Sequence, residues 1–317
     1  MDRWTGILKV PLHQNTGTFY RVGASICFSS SSRTLTVPSA NAIFFNGDHL
    51  EGTGNLVIEK LSDLQNIAEI LVSKFGSSVN AWVIQASVFN GPFAVYKDFI
   101  PSSNSWGEPK SYTPIGFPAS TATVSLLSNC LQEVKNIISR RQKESYTASA
   151  SFFNHPKTFI LGFSKGGTVL NQLVTELGFS EPKSMMSREV SMTQEGIQIV
   201  PTTKESLLNS ITELHYIDVG LNTAGAYITD GNVIEKLSNR LIAQDTGIRF
   251  FFHGTPRQWC DERRVWIRNE KDKLVHLLES ESRKNGANLQ VYERFYFADR
   301  RPDMQMHFEI IESMNVS

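Results

Sequence analysis

The chain has 317 residues, of which 40% are hydrophobic and 20% charged, a composition that suits one large α/β domain or two small ones. Lys and Arg number 31 and Asp and Glu 31, so the formal net charge is zero; without the basic excess that a polyanion binder carries, no nucleic-acid partner is expected. No apolar run approaches the roughly 18 residues of a spanning helix, so no transmembrane segment is expected either.

The N-terminal stretch from Met1 lacks the apolar run of a secretory signal. Arg3, Lys9, Arg21 and Arg33, with few acids among them, give it a faint transit-peptide character. Residues 6–12 and 19–28, however, alternate apolar and polar like a pair of strands. Further strand-like runs cover residues 42–45, 81–87, 157–161, 213–219, 249–253 and 290–297. Helix-like runs cover 55–75, 122–141, 168–177, 233–244, 265–284 and 307–314. Strands come first and strand–helix pairs follow. This order predicts an α/β-hydrolase-like domain over 1–317: a mainly parallel central sheet with helices on both faces and an antiparallel N-terminal edge. A dinucleotide-binding G-x-G-x-x-G after the first strand is absent. Two insertions interrupt the alternation. Residues 88–120 are rich in Pro, Ser and Gly and hold Trp106, and residues 179–203 are polar and hold Met185, Met186 and Met192. Both are expected to act as lids or surface loops at the active-site end of the sheet.

The three cysteines, Cys27, Cys130 and Cys260, are odd in number and form no C-x-x-C. They read as free thiols in a reducing, intracellular compartment, with no metal site and no cofactor.

Gly162-Phe163-Ser164-Lys165-Gly166 carries the chemistry. The G-x-S-x-G pattern alone is weak, but it lies between a β-branched and aromatic run and an amphipathic helix. A nucleophile elbow needs that context, with Ser164 on the turn and small residues at Gly162 and Gly166. Serine becomes a nucleophile when an imidazole takes its proton and a carboxylate orients the imidazole. In this fold the chain order is Ser, acid, His. His307, after the last strand and before the terminal helix, fits the base, whereas His276 lies within a helix. Asp261, beyond the strand at 249–253, is the preferred acid, and Asp218, at the end of 213–219, is the alternative. The oxyanion hole is assigned to the backbone amides of Lys165, Gly47 and Asp48, the last two in an Asn-Gly turn that ends a buried strand. The Lys165 side chain is expected to point into solvent.

Three segments now bear comparison with a known family: Phe99-Ile100-Pro101-Ser102-Ser103-Asn104, the elbow itself, and Leu214-His215-Tyr216-Ile217-Asp218-Val219-Gly220-Leu221-Asn222. They resemble a eukaryotic family named after the human chromosome-two open-reading-frame-sixty-nine protein. The resemblance runs from about Asn41 to the C-terminus and includes Thr255-Pro256. It implies an α/β-hydrolase-like fold, a nucleophile at Ser164 and, for animal members, a mitochondrial location, with the cytoplasm as alternative. It implies no substrate.

Two functions fit these observations. One is a serine hydrolase acting on an ester, thioester or amide, with a small acyl substrate still to be named. The other is a catalytically inactive hydrolase fold that serves as a scaffold or regulatory partner of another protein, since fold does not dictate chemistry. A weaker third reading uses the start of the helix after Ser164 as an anion site.

Overall fold

In the computed structural model, which describes residues 2–13, 17–140, 156–181, 198–286 and 288–317, the chain opens with β1 (Asp2–Pro11) and β2 (Phe19–Ser29). They pair antiparallel from Asp2–Phe28 to Pro11–Phe19, and the two-residue β3 (Thr34–Leu35) extends β2. Next come β4 (Ala40–Asn46), α1 (Leu56–Ser62), α2 (Leu64–Phe75), β5 (Val79–Gln85), the hairpin β6 (Val88–Asn90) and β7 (Phe93–Val95), and α3 (Pro118–Arg140). The second half holds β8 (Lys157–Phe163), α4 (Gly167–Phe179), α5 (Lys204–Ser210), β9 (Ile211–Ile217), α6 (Gly231–Gln244) and β10 (Gly247–Gly254). It closes with the one-turn α7 (Pro256–Trp259), α8 (Val265–Asn285), β11 (Asn288–Phe295) and α9 (Met304–Ser313).

The main sheet runs β1-β2-β5-β4-β8-β9-β10-β11. β1–β2 and β2–β5 are antiparallel, and every pair from β5 onward is parallel. This is the α/β-hydrolase arrangement: a mostly parallel sheet with an antiparallel N-terminal edge and helices on both faces. Both β4 and β5 are buried at every position, as parallel strands covered on two sides must be. Alternation along β4 sends Phe44 into the layer under α1, α2 and α9, where it stacks on Phe163. Phe45 enters the opposite layer, edge-on to Tyr96 and Phe99.

Among the boundaries that differ from the periodic pattern, three have a clear local reason. The helix expected over 55–75 breaks at Asp63, whose carboxylate accepts from the Asn66 amide at 2.8 Å and so starts a new helix. The strand expected over 213–219 stops at Ile217, because Asp218 turns into the left-handed region with φ 44°. The last helix starts at Met304 behind the Asp303 cap and thus encloses His307. Of the two insertions, 88–120 contains the β6–β7 hairpin and the start of α3, while residues 182–197 of the second lie outside the described residues. Among the described residues no helix is long and apolar enough to cross a membrane.

Beneath the site, β9 and β10 align two buried histidines with rings stacked 5.4 Å apart. His215 Nδ1 meets His253 Nε2 at 3.2 Å, His215 Nε2 meets Glu213 at 3.0 Å, and His253 Nδ1 meets the Tyr296 hydroxyl at 3.0 Å. Burial pushes both rings below the usual histidine range, His253 well below. The unfolded chain therefore binds these protons more readily. The stability they contribute is present above about pH 6.5 and lost as pH falls through their depressed folded values. Chemical denaturation is expected to show lower stability at pH 5.5 than at pH 7.5, with a smaller loss when both histidines are replaced by phenylalanine.

Candidate active site

β8 delivers Phe163 to the C-terminal end of the sheet, and the chain reverses at once into α4. Ser164 takes φ 50°, a left-handed conformation that costs a side-chain-bearing residue about 1–3 kcal/mol. The flanking glycines are required by proximity. A Cβ on Gly162 would lie 2.6 Å from Leu170 Cδ1 and 2.7 Å from Gly167 Cα, and one on Gly166 would overlap the Phe45 carbonyl oxygen. The end of β4 presses against the same turn. A Cβ on Gly47 would overlap the Phe163 carbonyl oxygen and approach the Gly166 nitrogen to 2.7 Å. Gly47 and Asp48 therefore border the elbow backbone. The bridge between Asp48 and Phe93 is closed by His49 N to Pro92 O and Ala94 N to Gly47 O, each 2.9 Å, so neither bond uses the Asp48 amide.

His307 lies in the first turns of α9, its ring 4.6 Å from that of Phe163 and its side chain buried. Nδ1 donates to Asp218 Oδ2 at 2.6 Å. Asp218 is fixed in turn: its Oδ1 accepts from the Thr255 amide at 2.7 Å, its Oδ2 accepts from the Thr255 hydroxyl at 3.0 Å, and its own amide donates to His253 O at 2.7 Å. The acid beside His307 is thus Asp218, the alternative assignment. The preferred Asp261 is elsewhere. The one-turn α7 carries the chain past the end of β10, and the Asp261 carboxylate accepts from Arg264 Nε at 2.8 Å and the Arg263 amide at 2.9 Å. Partial burial alone would raise its pKa, yet these hydrogen bonds and the arginine charges lower it. His276 is exposed on α8.

The carboxylate of Asp48 enters the site unforeseen, since sequence reasoning assigns a role only to its amide. Ser164 Oγ donates to Asp48 Oδ2 at 3.0 Å, and His307 Nε2 donates to the same oxygen at 3.0 Å. Serine and histidine are therefore linked through Asp48. Burial would lower the His307 pKa, but hydrogen bonds and charge from Asp218 and Asp48 outweigh it and bring the value to about 9. With a carboxylate oxygen against each ring nitrogen, this arrangement favours the protonated ring. Asp48 Oδ1 is buried without a hydrogen-bond partner among the described residues, as are both amide atoms of Asn46.

Lys165 does not reach solvent. It is 3% exposed, its Nζ donates to the Trp106 carbonyl at 2.6 Å, and it lies 4.7 Å over the Phe93 ring. Burial lowers its pKa against the opposing charges of Glu108 and Asp48. The 88–120 segment thus closes over the elbow through Phe93 and Trp106. Ser164 is itself only 4% exposed.

A family model described as C2orf69 matches residues 118–283. The mitochondrial protein C2orf69 of Homo sapiens is 25% identical over 285 residues, covering 78% of this chain and 66% of the human protein. Its homolog in Danio rerio is 24% identical over 295 residues, covering 89% of this chain and 75% of the relative. The chain therefore spans about two thirds of the human relative's length. Among solved structures, the siderophore hydrolase EstA from Aspergillus nidulans is 12% identical with a TM-score of 0.48, covering 98% of this chain and 92% of that one. An IroE-like serine hydrolase from Shewanella oneidensis is 10% identical with a TM-score of 0.45, covering 98% and 78%.

Proposed function

The chain belongs to the C2orf69 family, and we propose that it is a serine hydrolase cleaving an ester, thioester or amide of a small acyl substrate. The observation that carries this reading is the buried chain of hydrogen bonds from Ser164 through Asp48 to His307 and on to Asp218 at the end of the sheet, with the elbow holding Ser164 in a strained turn. Ser164 Oγ attacks the acyl carbon. His307 takes the hydroxyl proton through Nε2 and returns it to the leaving group. Asp218 fixes the tautomer through Nδ1 and stabilises the imidazolium that forms. The Lys165 amide, with those of Gly47 and Asp48, receives the developing oxyanion. Relatives named as mitochondrial proteins support placing the chain in the mitochondrion, with the cytoplasm as alternative.

Replacing each acid in turn tests the reading. Asp218→Asn is expected to slow acylation of Ser164 by about 10⁴-fold, since the ring loses its orienting charge and tautomer. Asp261→Asn is expected to change it by less than about twofold, because its carboxylate serves a surface arginine. Equal effects from the two variants would remove the assigned triad.

One observation favours the second reading, a scaffold without turnover: the Asp48 carboxylate stands between nucleophile and base. That reading predicts that all four residues can be replaced without changing any rate.

A further inference from the structure

The carboxylate product of an acyl-serine site is an anion that accepts one hydrogen bond from the serine hydroxyl and another from the histidine Nε2. The Asp48 carboxylate makes both contacts here, each at 3.0 Å and both through Oδ2. Its second oxygen, Oδ1, is buried with no hydrogen-bond partner among the described residues, and Asp48 as a whole is 6% exposed. Leaving a carboxylate oxygen so poorly solvated costs free energy, so this geometry must be held by the contacts of Oδ2 and by the bridge to Phe93. The backbone supports it, because Gly47 packs against the elbow too closely for any side chain and carries Asp48 directly over Ser164.

We propose that the Asp48 carboxylate is a built-in ligand that locks the Ser164–His307 pair, filling the place of a carboxylate product until a substrate displaces it. The word product rests on the hydrolase reading; the lock does not. Two consequences follow from charge. While Asp48 is in place, a negative group stands beside the serine oxygen, where the transition state develops further negative charge, and the two repel. The same group holds the proton on His307, which then has no free lone pair on Nε2 to accept one from serine. The charged groups around the ring are Asp218 from the end of β9 and Asp48 from the end of β4. On its own helix, Asp303 and Glu309 are engaged by Arg300, and the rings of Phe163 and Phe308 supply an apolar wall. Lys165 lies within electrostatic reach of Asp48 and offers the displaced carboxylate a counter-charge.

The test uses the full chain, Asp48→Ala, and Asp48→Asn as a volume-preserving variant that guards against loss of fold. The His307 ring is titrated by NMR with and without sodium acetate as a stand-in carboxylate. The wild-type ring is expected to keep its proton to about pH 9. Its midpoint should fall in both variants, and acetate should raise it again in Asp48→Ala while leaving the wild type unchanged. Fluorophosphonate labelling of Ser164 at pH 7 should be faster in Asp48→Ala, on the order of tenfold, as a larger share of His307 becomes neutral, and acetate should slow it. A His307 midpoint unmoved by removal of Asp48, or labelling slowed by that removal, overturns the lock. If the midpoint falls and acetate restores it but no protein is ever labelled, the lock stands and the hydrolase reading fails.

Discussion

Replacing Ser164 by alanine is expected to remove acyl transfer almost completely, by about 10⁵-fold to 10⁶-fold, while the fold persists. The size follows from the division of labour in the site. A triad acts as a unit, and without the hydroxyl neither the imidazole nor the oxyanion donors have an intermediate to serve. The fold should tolerate the change because alanine suffers the same left-handed backbone as serine, and what disappears with the hydroxyl is its hydrogen bond to Asp48. His307→Ala should abolish activity to a similar extent but with a different stability signature. It leaves two buried carboxylates, Asp48 and Asp218, facing one another without the cation between them. Breaking a buried charge pair costs about 3–5 kcal/mol. Thermal unfolding read beside labelling separates the two variants: Ser164→Ala near the wild-type midpoint, His307→Ala clearly below it.

The second large effect is on the fold. Gly47→Ala and Gly166→Ala each add one methyl group at the junction of β4 and the elbow. At Gly166 that carbon would overlap the Phe45 carbonyl, and at Gly47 it would overlap the Phe163 carbonyl. These obstacles are backbone atoms of the fully buried Phe45 and Phe163 and cannot rotate away as a side-chain end would. Either the elbow separates from β4 or the strand shifts, and the expected cost is about 3 kcal/mol or more. Because the displaced atoms include the amides assigned to the oxyanion hole, labelling should fall even at temperatures where the variant stays folded. Gly52→Ala is the useful control: among the described residues nothing lies within 4 Å of its added Cβ, although its φ of 65° still carries a local backbone cost. A Gly166→Ala variant with wild-type stability and labelling would mean that the close approach is not a requirement.

What can be read from the chain itself divides along physical lines. The elbow is legible because its constraint is local: a buried strand, a sharp turn and a helix need small residues at Gly162 and Gly166. His307 is legible by chain order, since it follows the last strand and lies in the first turns of the last helix. The choice between Asp218 and Asp261 is not. It depends on a single left-handed residue at the end of β9 and on the Thr255 cap that receives its carboxylate, and hydrophobic patterning reports neither. The burial of Lys165 escapes the sequence for a similar reason. It is produced by Phe93 and Trp106, in a segment whose composition suggests only a loop. The Asp48 side chain is the least accessible, because its two contacts join positions 116 and 259 residues apart in sequence. Asn46-Gly47 points to the right turn, but no pattern tells whether the next residue offers its amide, its carboxylate or both.

Covalent labelling is the most direct test of Ser164 as a nucleophile activated by His307. Folded protein would be treated with a fluorophosphonate at pH 7 and pH 9.5 and read by intact mass and peptide mapping, with Asp48→Ala alongside. The account predicts one adduct, on Ser164, forming slowly in the wild type at neutral pH and faster at pH 9.5. It also predicts faster labelling in Asp48→Ala and none in Ser164→Ala. A folded wild type and a folded Asp48→Ala that both stay unlabelled at either pH would contradict it.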